Sequence, residues 1–375
     1  LPEAARGRRR VLCSYLHSTK TVTERIEAMS SSANQRIPQV IAELSANHLG
    51  SLQRLKKLLR LAKRSGATYV KVQHYRPDTI TVRGDAPELT VSGGTAWDGR
   101  ELWDLYQEGM TPWEWTSEID AVAREEGIPW FSSPFDESAV DFLEEFDVPM
   151  YKIASFEIVD LPLIRHVART GKPMIISTGM ATLQEIDAAV EAAVTAGATE
   201  ITLLRTNSGY PALPEEMDLS AIPFMRERWN LPVGLSDHTI GSTAAIVATA
   251  LGANLFEKHL TISRSDGGPD AEFSAEPNEM ESYVASILEA SQVLGTVRFG
   301  ASGRERAALA LRPSLRATKP IHRGETLSPQ NVASLRPAGG LPPDMFESIQ
   351  GHRAATDIPT GTAVTPDLLA DSSER

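Results

Sequence analysis

The strongest constraint on the fold is an alternation that begins at Gln39. Short apolar, β-rich runs are followed by longer stretches of helical period, repeatedly, as far as Leu294. The predicted strands lie at 40–44, 69–73, 130–133, 150–155, 174–178, 201–205, 232–235 and 255–259. Several are apolar at nearly every position rather than at every second one, as parallel strands covered by helices are. Helical segments are expected at 52–65, 112–126, 138–146, 161–170, 183–196 and 242–250, with a last one at 280–294. Gly66, Gly127, Gly171, Gly197 and Gly252 stand just past helices, where a left-handed residue is wanted. Eight strand–helix units predict an α/β fold, a (β/α)8 TIM barrel. A doubly wound sheet is the rival, and no Gly-rich dinucleotide turn follows any strand to support it.

Two segments break the rhythm. The stretch 76–110 is too long for an ordinary barrel loop and is expected to be a lid or substrate loop on the active face. Beyond about Gly303 the helical period fades and Pro and Gly become frequent. There Ile321-His322-Arg323-Gly324 with Ser328-Pro329 is echoed by Ile358-Pro359-Thr360-Gly361 with Thr365-Pro366. Each piece reads as strand, Gly turn, strand and a short helical turn begun by proline. The expected organisation is an N-terminal extension over 1–36, a barrel over 37–295, a linker over 296–312 and a small β-rich module over 313–375. The extension carries a basic run, Arg6, Arg8, Arg9 and Arg10, with no apolar stretch after it, so a secretory signal is not expected. Met29 is a candidate start.

Charge and cysteine usage narrow the function. A net charge of −12 argues against wholesale nucleic-acid binding, so an anionic substrate must meet a local cluster of Lys, Arg or backbone N–H groups. No apolar run approaches the roughly 18 residues of a membrane span, so no membrane partner is expected. The single cysteine, Cys13, rules out an intramolecular disulfide and fits a reducing, cytoplasmic setting.

In a TIM barrel the chemistry comes from the C-terminal ends of the strands. Polar residues gather there in every predicted unit: Glu43, Asn47 and His48; Lys71 and Gln73; Ser132 and Ser133; Lys152, Ser155 and Glu157; Ser177 and Thr178; Asn207, Ser208 and Tyr210; Ser236, Asp237 and His238; Glu257, Lys258 and His259. His238 and His259, at the ends of adjacent strands, could ligate one ion. With few protein ligands and no Cys, an open octahedral site for Mn²⁺ or Mg²⁺ fits; the competing reading is a pair of hydrogen-bonded barrel-mouth histidines. Lys71 and Lys152 sit in apolar strand patterns, where a lysine is costly unless it meets an anion. With Ser155, Ser177 and Ser236 they would make a phosphate and carboxylate pocket; otherwise they are salt-bridge partners. Trp103, Trp113 and Trp115 read as packing residues more readily than as sugar platforms.

Together, the segments IAELSANHLGS, YVKVQ, FSSPFD, YKIASFEI, IISTGMAT, GLSDHT, EKHLT and GGPD resemble the N-acetylneuraminate synthase family, from about Pro38 to the C-terminus. The part beginning near Pro313, including LRPAGGLPP, resembles its antifreeze-like (SAF) domain. ELWDLYQEGMTPWEW and RSDGGPDAEFSAEP point to the branch that makes pseudaminic acid. The resemblance implies a metal on His238 and His259, and phosphoenolpyruvate on Lys71, Ser133, Lys152, Ser155, Ser177, Ser208 and Ser236. It places Glu43, Gln73, Glu157, Tyr210 and Asp270 at sugar-binding or catalytic positions. It matches Arg336 to an arginine that reaches the partner subunit's barrel in a domain-swapped homodimer. The chain departs from the family at His74 and Glu272, positions that bear on the sugar, and no metal or phosphate ligand is lost.

The activity so implied joins phosphoenolpyruvate to an amino-sugar aldehyde, specifically 2,4-diacetamido-2,4,6-trideoxy-L-altrose. An N-acetylmannosamine-type sugar, as for N-acetylneuraminate or legionaminic acid synthesis, is the alternative. Further rivals are a Schiff-base aldolase on Lys71 or Lys152 and a carbohydrate-binding scaffold with an inactive barrel.

Overall fold

A computed structural model describes residues 37–93 and 97–370. The expected N-terminal extension, Cys13 and Met29 lie outside the described residues, as do the last five residues of the C-terminal module. The chain divides after Gly295 into two compact units.

The first unit is a closed barrel of eight parallel strands in sequential order. They are β1 (Gln39–Glu43), β2 (Tyr69–His74), β3 (Trp130–Pro134), β4 (Tyr151–Ile153), β5 (Met174–Ser177), β6 (Ile201–Thr206), β7 (Val233–Ser236) and β8 (Leu255–His259). The helices α1 (Leu52–Arg64), α2 (Thr116–Glu126), α3 (Glu137–Glu144), α4 (Leu161–Arg169), α5 (Leu183–Ala196), α6 (Ala221–Trp229), α7 (Thr243–Ala250) and α8 (Pro277–Leu294) follow the strands in turn. The TIM barrel read from the alternation is therefore the fold. Its strands are buried on both faces, which explains their almost unbroken apolar runs. Helix starts are written locally. The Asp136, Asp160 and Thr182 side chains accept from the N–H three residues on, each cap contributing about 1 kcal/mol. Gly127 and Gly197 end α2 and α5 at φ of 61° and 109°.

Three expectations need adjusting. The fourth strand stops at Ile153 rather than Ser155, because the Glu157 N–H turns back to the Ala154 carbonyl and the chain enters a 3-10 turn, Phe156–Val159. The second helix begins at Thr116 rather than Pro112, after a 3-10 turn at Trp113–Trp115. α6 was not expected, since Pro211, Pro214 and Pro223 interrupt the helical period. Pro223 sits in its first turn, where the missing N–H costs nothing.

The loop 76–110 holds a short helix, Pro77–Ile80, a two-turn helix, Leu102–Gly109, and an antiparallel bridge between Thr90 and Glu101. It is a folded wall rather than a strand connector.

The second unit has an antiparallel pair, β9 (Ser314–Ala317) and β10 (Val332–Leu335). Its core contains Leu315, Ile321, Leu327, Val332, Ile349, Ile358 and Val364. The two echoed pieces face each other. Ile321 and Ile358 exchange both backbone hydrogen bonds, at 2.9 and 2.8 Å, and Gly324 and Gly361 turn the chain at φ of 81° and 82°. The pieces pair through isolated bridges rather than full strands, with Thr326 also bridged to Arg353 and Ala363 to Arg316. The Arg316 guanidinium holds the carbonyls of Pro337, Ala338 and Gly361 at 2.8–3.0 Å. That grip fixes the loop just after Arg336, whose side chain is exposed.

Candidate active site

The strand ends of the barrel open into a cavity of about 390 Å³. Its floor is polar and built from alternate strand residues, because the pleat sends every second side chain inward. Lys71 and Gln73 come from β2, Lys152 from β4, Ser177 from β5, Thr206 from β6, Ser236 from β7, and Glu257 and His259 from β8. Ser155, Glu157, Tyr210, His238 and Asp270 arrive from the loops that follow.

Two lysines in a buried site need partners. Lys71 forms an ion pair with Glu43, lies 3.7 Å from Glu257 and donates to the Ser133 hydroxyl at 3.2 Å. Burial alone would depress its pKa, but the two carboxylates outweigh burial and hold it above the usual lysine value. Glu257 stays ionised: burial opposes its charge, and Lys71, Lys152 and His238 more than compensate. Glu43 is raised, by burial first and by the charge of Glu257 in addition. Lys152 donates to the Ile153 carbonyl at 3.0 Å, and burial pushes its pKa down to about 8. Burial pushes Glu157 up to about 7 and Asp270 to about 6.

One corner gathers hydroxyls. The Thr206 hydroxyl donates to Ser177 at 3.3 Å. Ser208 Oγ is buried without a hydrogen-bond partner. Gly179 keeps this corner open: a Cβ there would stand 2.3 Å from Ser208 Oγ and 2.7 Å from Ser155 Oγ.

The His238 and His259 rings approach to 5.4 Å between centroids. His238 Nδ1 meets the Asn207 carbonyl at 2.7 Å, which makes that nitrogen the donor and leaves Nε2 with its lone pair. His259 Nδ1 is buried with no hydrogen-bond partner and lies 4.0 Å from Asp270 Oδ2. Burial lowers both imidazole pKa values, keeping the rings in the neutral, ligating form. These features fit a divalent cation. Among the described residues no three His, Cys, Asp or Glu side chains are grouped to hold one, so two imidazoles would leave most of the coordination shell to substrate and water.

The opposite wall is apolar. Ile80, Val91, Leu102 and Leu105 of the 76–110 loop face the cavity beside Tyr75, Tyr106 and Phe135. Trp97 stands 5.2 Å from the Tyr210 ring, which lies 4.4 Å from His238.

Most sequence candidates thus converge. Lys71, Gln73, Lys152, Ser155, Glu157, Ser177, Tyr210, Ser236, His238, His259 and Asp270 line the cavity. Glu43 and Ser133 lie behind it, bound to Lys71. Ser208 sits behind Gly179. Arg336 belongs to the second unit. His74 is no sugar contact: it is buried between Ser132 and Thr116, at 2.8 and 2.9 Å, and burial takes its pKa to about 3. Trp113 stacks on Phe142 at 4.6 Å and Trp115 packs on His48, so neither is a platform. Two features escaped the sequence. Glu257 was visible as a strand-end acid without a role, and Trp97 had no periodic signal inside an irregular loop.

Residues 58–299 match the profile of the NeuB family, and residues 312–370 match the SAF domain. The chain belongs to the NeuB family. Pseudaminic acid synthase of Helicobacter pylori is 40% identical over 337 residues, covering 89% of this chain and 98% of that protein. Pseudaminic acid synthase of Campylobacter jejuni (strain 81-176) is 39% identical over 325 residues, 87% of this chain and 94% of that one. The crystal structure of a sialic acid synthetase from Leptospira borgpetersenii shares the fold with a TM-score of 0.65 and 27% identity, covering 73% of this chain and 90% of the other. This NeuB-family chain is accordingly an enzyme, a condensing transferase of the nonulosonic acid synthase type. Among its described residues, no helix is long and apolar enough to cross a membrane.

Proposed function

We propose that the enzyme condenses phosphoenolpyruvate with 2,4-diacetamido-2,4,6-trideoxy-L-altrose and water, giving pseudaminic acid and phosphate. The observation that carries this reading is the division of one cavity into a polar floor, where Lys71 and Lys152 stand among hydroxyls and the Glu257 carboxylate, and an apolar wall. The floor suits a small dianion; the wall suits a sugar rich in methyl groups. The two relatives named pseudaminic acid synthase point the same way.

Lys71 and Lys152, with Ser155, Ser177, Ser208 and Ser236, would bind the phosphate and carboxylate through charge-assisted hydrogen bonds. Held by His238 and His259, a Mn²⁺ or Mg²⁺ ion would supply Lewis acidity toward the sugar aldehyde. C3 of phosphoenolpyruvate attacks the aldehyde carbon, cationic character develops at C2, and water adds there. Phosphate then leaves by C–O cleavage from the tetrahedral intermediate. Glu157 suits the water proton better than Glu43. It lines the cavity, its Oε2 is buried without a hydrogen-bond partner, and its pKa lies near 7. Glu43 is engaged by Lys71 and Ser45.

The deciding experiment offers phosphoenolpyruvate with a panel of hexosamines and 6-deoxy-diacetamido sugars and identifies products by mass spectrometry. Faster turnover of N-acetylmannosamine would move the enzyme to the sialic acid branch. Borohydride trapping of pyruvate on Lys71 or Lys152, with activity surviving a chelator, would favour an aldolase.

The enzyme is further proposed to act as a homodimer in which Arg336 serves the partner's barrel. Its exposure on a loop gripped by Arg316 supports this. Mixing inactive Arg336→Ala and His238→Ala subunits, with exchange confirmed, should restore activity. No recovery would refute action in trans.

A further inference from the structure

β8 ends in three consecutive buried ionisable residues, Glu257, Lys258 and His259. Glu257 and His259 enter the cavity. Lys258, between them, leaves the opposite face and lies over the Tyr283 ring of α8, 4.9 Å from its centroid. A lysine between barrel and helices is 3% exposed and pays heavily in lost hydration, and the condensation chemistry makes no use of it. Its partners show what it does. Nζ donates to the Thr239 carbonyl at 2.6 Å and to the Asp237 carbonyl at 3.4 Å, and lies 3.3 Å from the Asp237 carboxylate. Asp237 Oδ1 in turn accepts from the Thr239 N–H and hydroxyl at 2.9 and 2.7 Å. These contacts enclose His238, whose carbonyl is also taken by the Ala212 N–H at 3.1 Å.

We propose that Lys258 is a positioning residue: from behind the barrel wall it clamps the backbone on both sides of His238 and so sets that imidazole against His259. One residue step along β8 thus supplies both a ring of the ion site and the tie that orients its mate. A partner that orients a ligating imidazole is ordinarily worth about 10–100-fold in metal affinity. The inference rests on the metal reading above, so its test separates the two.

Mn²⁺ binding to the full chain is measured by calorimetry, with hydrogen exchange at the 237–239 amides, for wild type, His238→Ala, Lys258→Met and the double variant Asp237→Asn/Lys258→Met. The double variant removes both buried charges, so it keeps the test alive if Lys258→Met fails to fold. The clamp predicts affinity about 10–100-fold weaker in both Lys258 variants, with faster exchange at Thr239. If Lys258 only neutralises Asp237, the double variant restores wild-type affinity and exchange, and the clamp is overturned. Undiminished binding in both variants overturns it as well. If wild type binds no Mn²⁺ and His238→Ala changes nothing, the metal reading falls and takes the clamp with it.

Discussion

The two sides of the cavity were made by different means. The floor comes from strand ends, where hydrogen-bonded neighbours fix every Cα. Glu43, for instance, stands in register with Lys71 on one side and His259 on the other. The wall comes from one long loop with two short helices, whose side chains reach the cavity from Ile80, Val91, Trp97, Leu102 and Leu105. The floor carries buried charge and must be compensated almost atom by atom. The wall carries apolar surface and tolerates change at a cost that scales with area. On the proposed function, the barrel would hold the chemistry common to related condensations, and the loop what can vary between sugars.

The largest expected effect is on the floor. Lys71→Met leaves Glu43 buried without its cation and takes the first of Glu257's compensating charges, which should cost about 3–5 kcal/mol of stability. Urea unfolding checks it, and an unchanged midpoint would mean that the two carboxylates are compensated elsewhere.

Glu157 sharpens the contrast through pH. Its pKa rises from 4.5 to about 7 on burial, so between those values the folded state binds the extra proton and stability falls as pH rises. Above pH 7 the ionised group costs about 3 kcal/mol at about 1.4 kcal/mol per pH unit. Glu157→Gln should therefore stabilise the protein at pH 8 and much less at pH 5, while slowing turnover. Equal thermal shifts at the two pH values would show that the carboxylate is not desolvated.

Lys152→Ala should lower kcat/KM for phosphoenolpyruvate about tenfold to a hundredfold, from a lost charge-assisted contact of about 1.5–3 kcal/mol. Because Lys152 loses its proton near pH 8, the wild-type value should fall above that pH, and the variant should lose that limb. Steady-state kinetics from pH 6 to 10, set as about two units either side of the titration, decide it.

The smallest effect belongs to the wall. Val91→Thr adds a hydroxyl to an apolar surface and should shift preference between 6-deoxy and 6-hydroxy sugars about fivefold, roughly 1 kcal/mol. Phosphoenolpyruvate kinetics should not move. A change there instead would mean that wall and floor are coupled.

The same division explains what could be read from sequence. Strand ends were legible because apolar runs mark the strands, so Lys71, Lys152, His238 and His259 fall at the C-terminal end of the barrel on sequence alone. α6 was not, because Pro211 and Pro214 before it and Pro223 within it hide a helix that packing of Ile222, Met225 and Trp229 stabilises. His74 stood out only as a departure from the family pattern; its ring points away from the cavity and satisfies Ser132 and Thr116. Trp97 was out of reach for the opposite reason. Its place depends on a long-range hydrogen bond to the Pro269 carbonyl, at 2.9 Å, that no local pattern encodes.

The Glu257-Lys258-His259 run has a further consequence for how the ring of strands can close. β8 meets β1 along five paired positions, from Gln39 opposite Leu255 to Glu43 opposite His259. A slip of one residue in that seam would turn every side chain to the other face. Lys258 would enter the cavity, and His259 and Glu257 would be pressed against the helices. A strand apolar on both faces could survive such a slip as a merely loosened barrel; this one could not, because the slip would press Glu257 against the apolar helices and pull Lys258 away from Asp237. The last strand thus works as a reading-frame check on closure, and a barrel that closes wrongly cannot persist as an inactive look-alike.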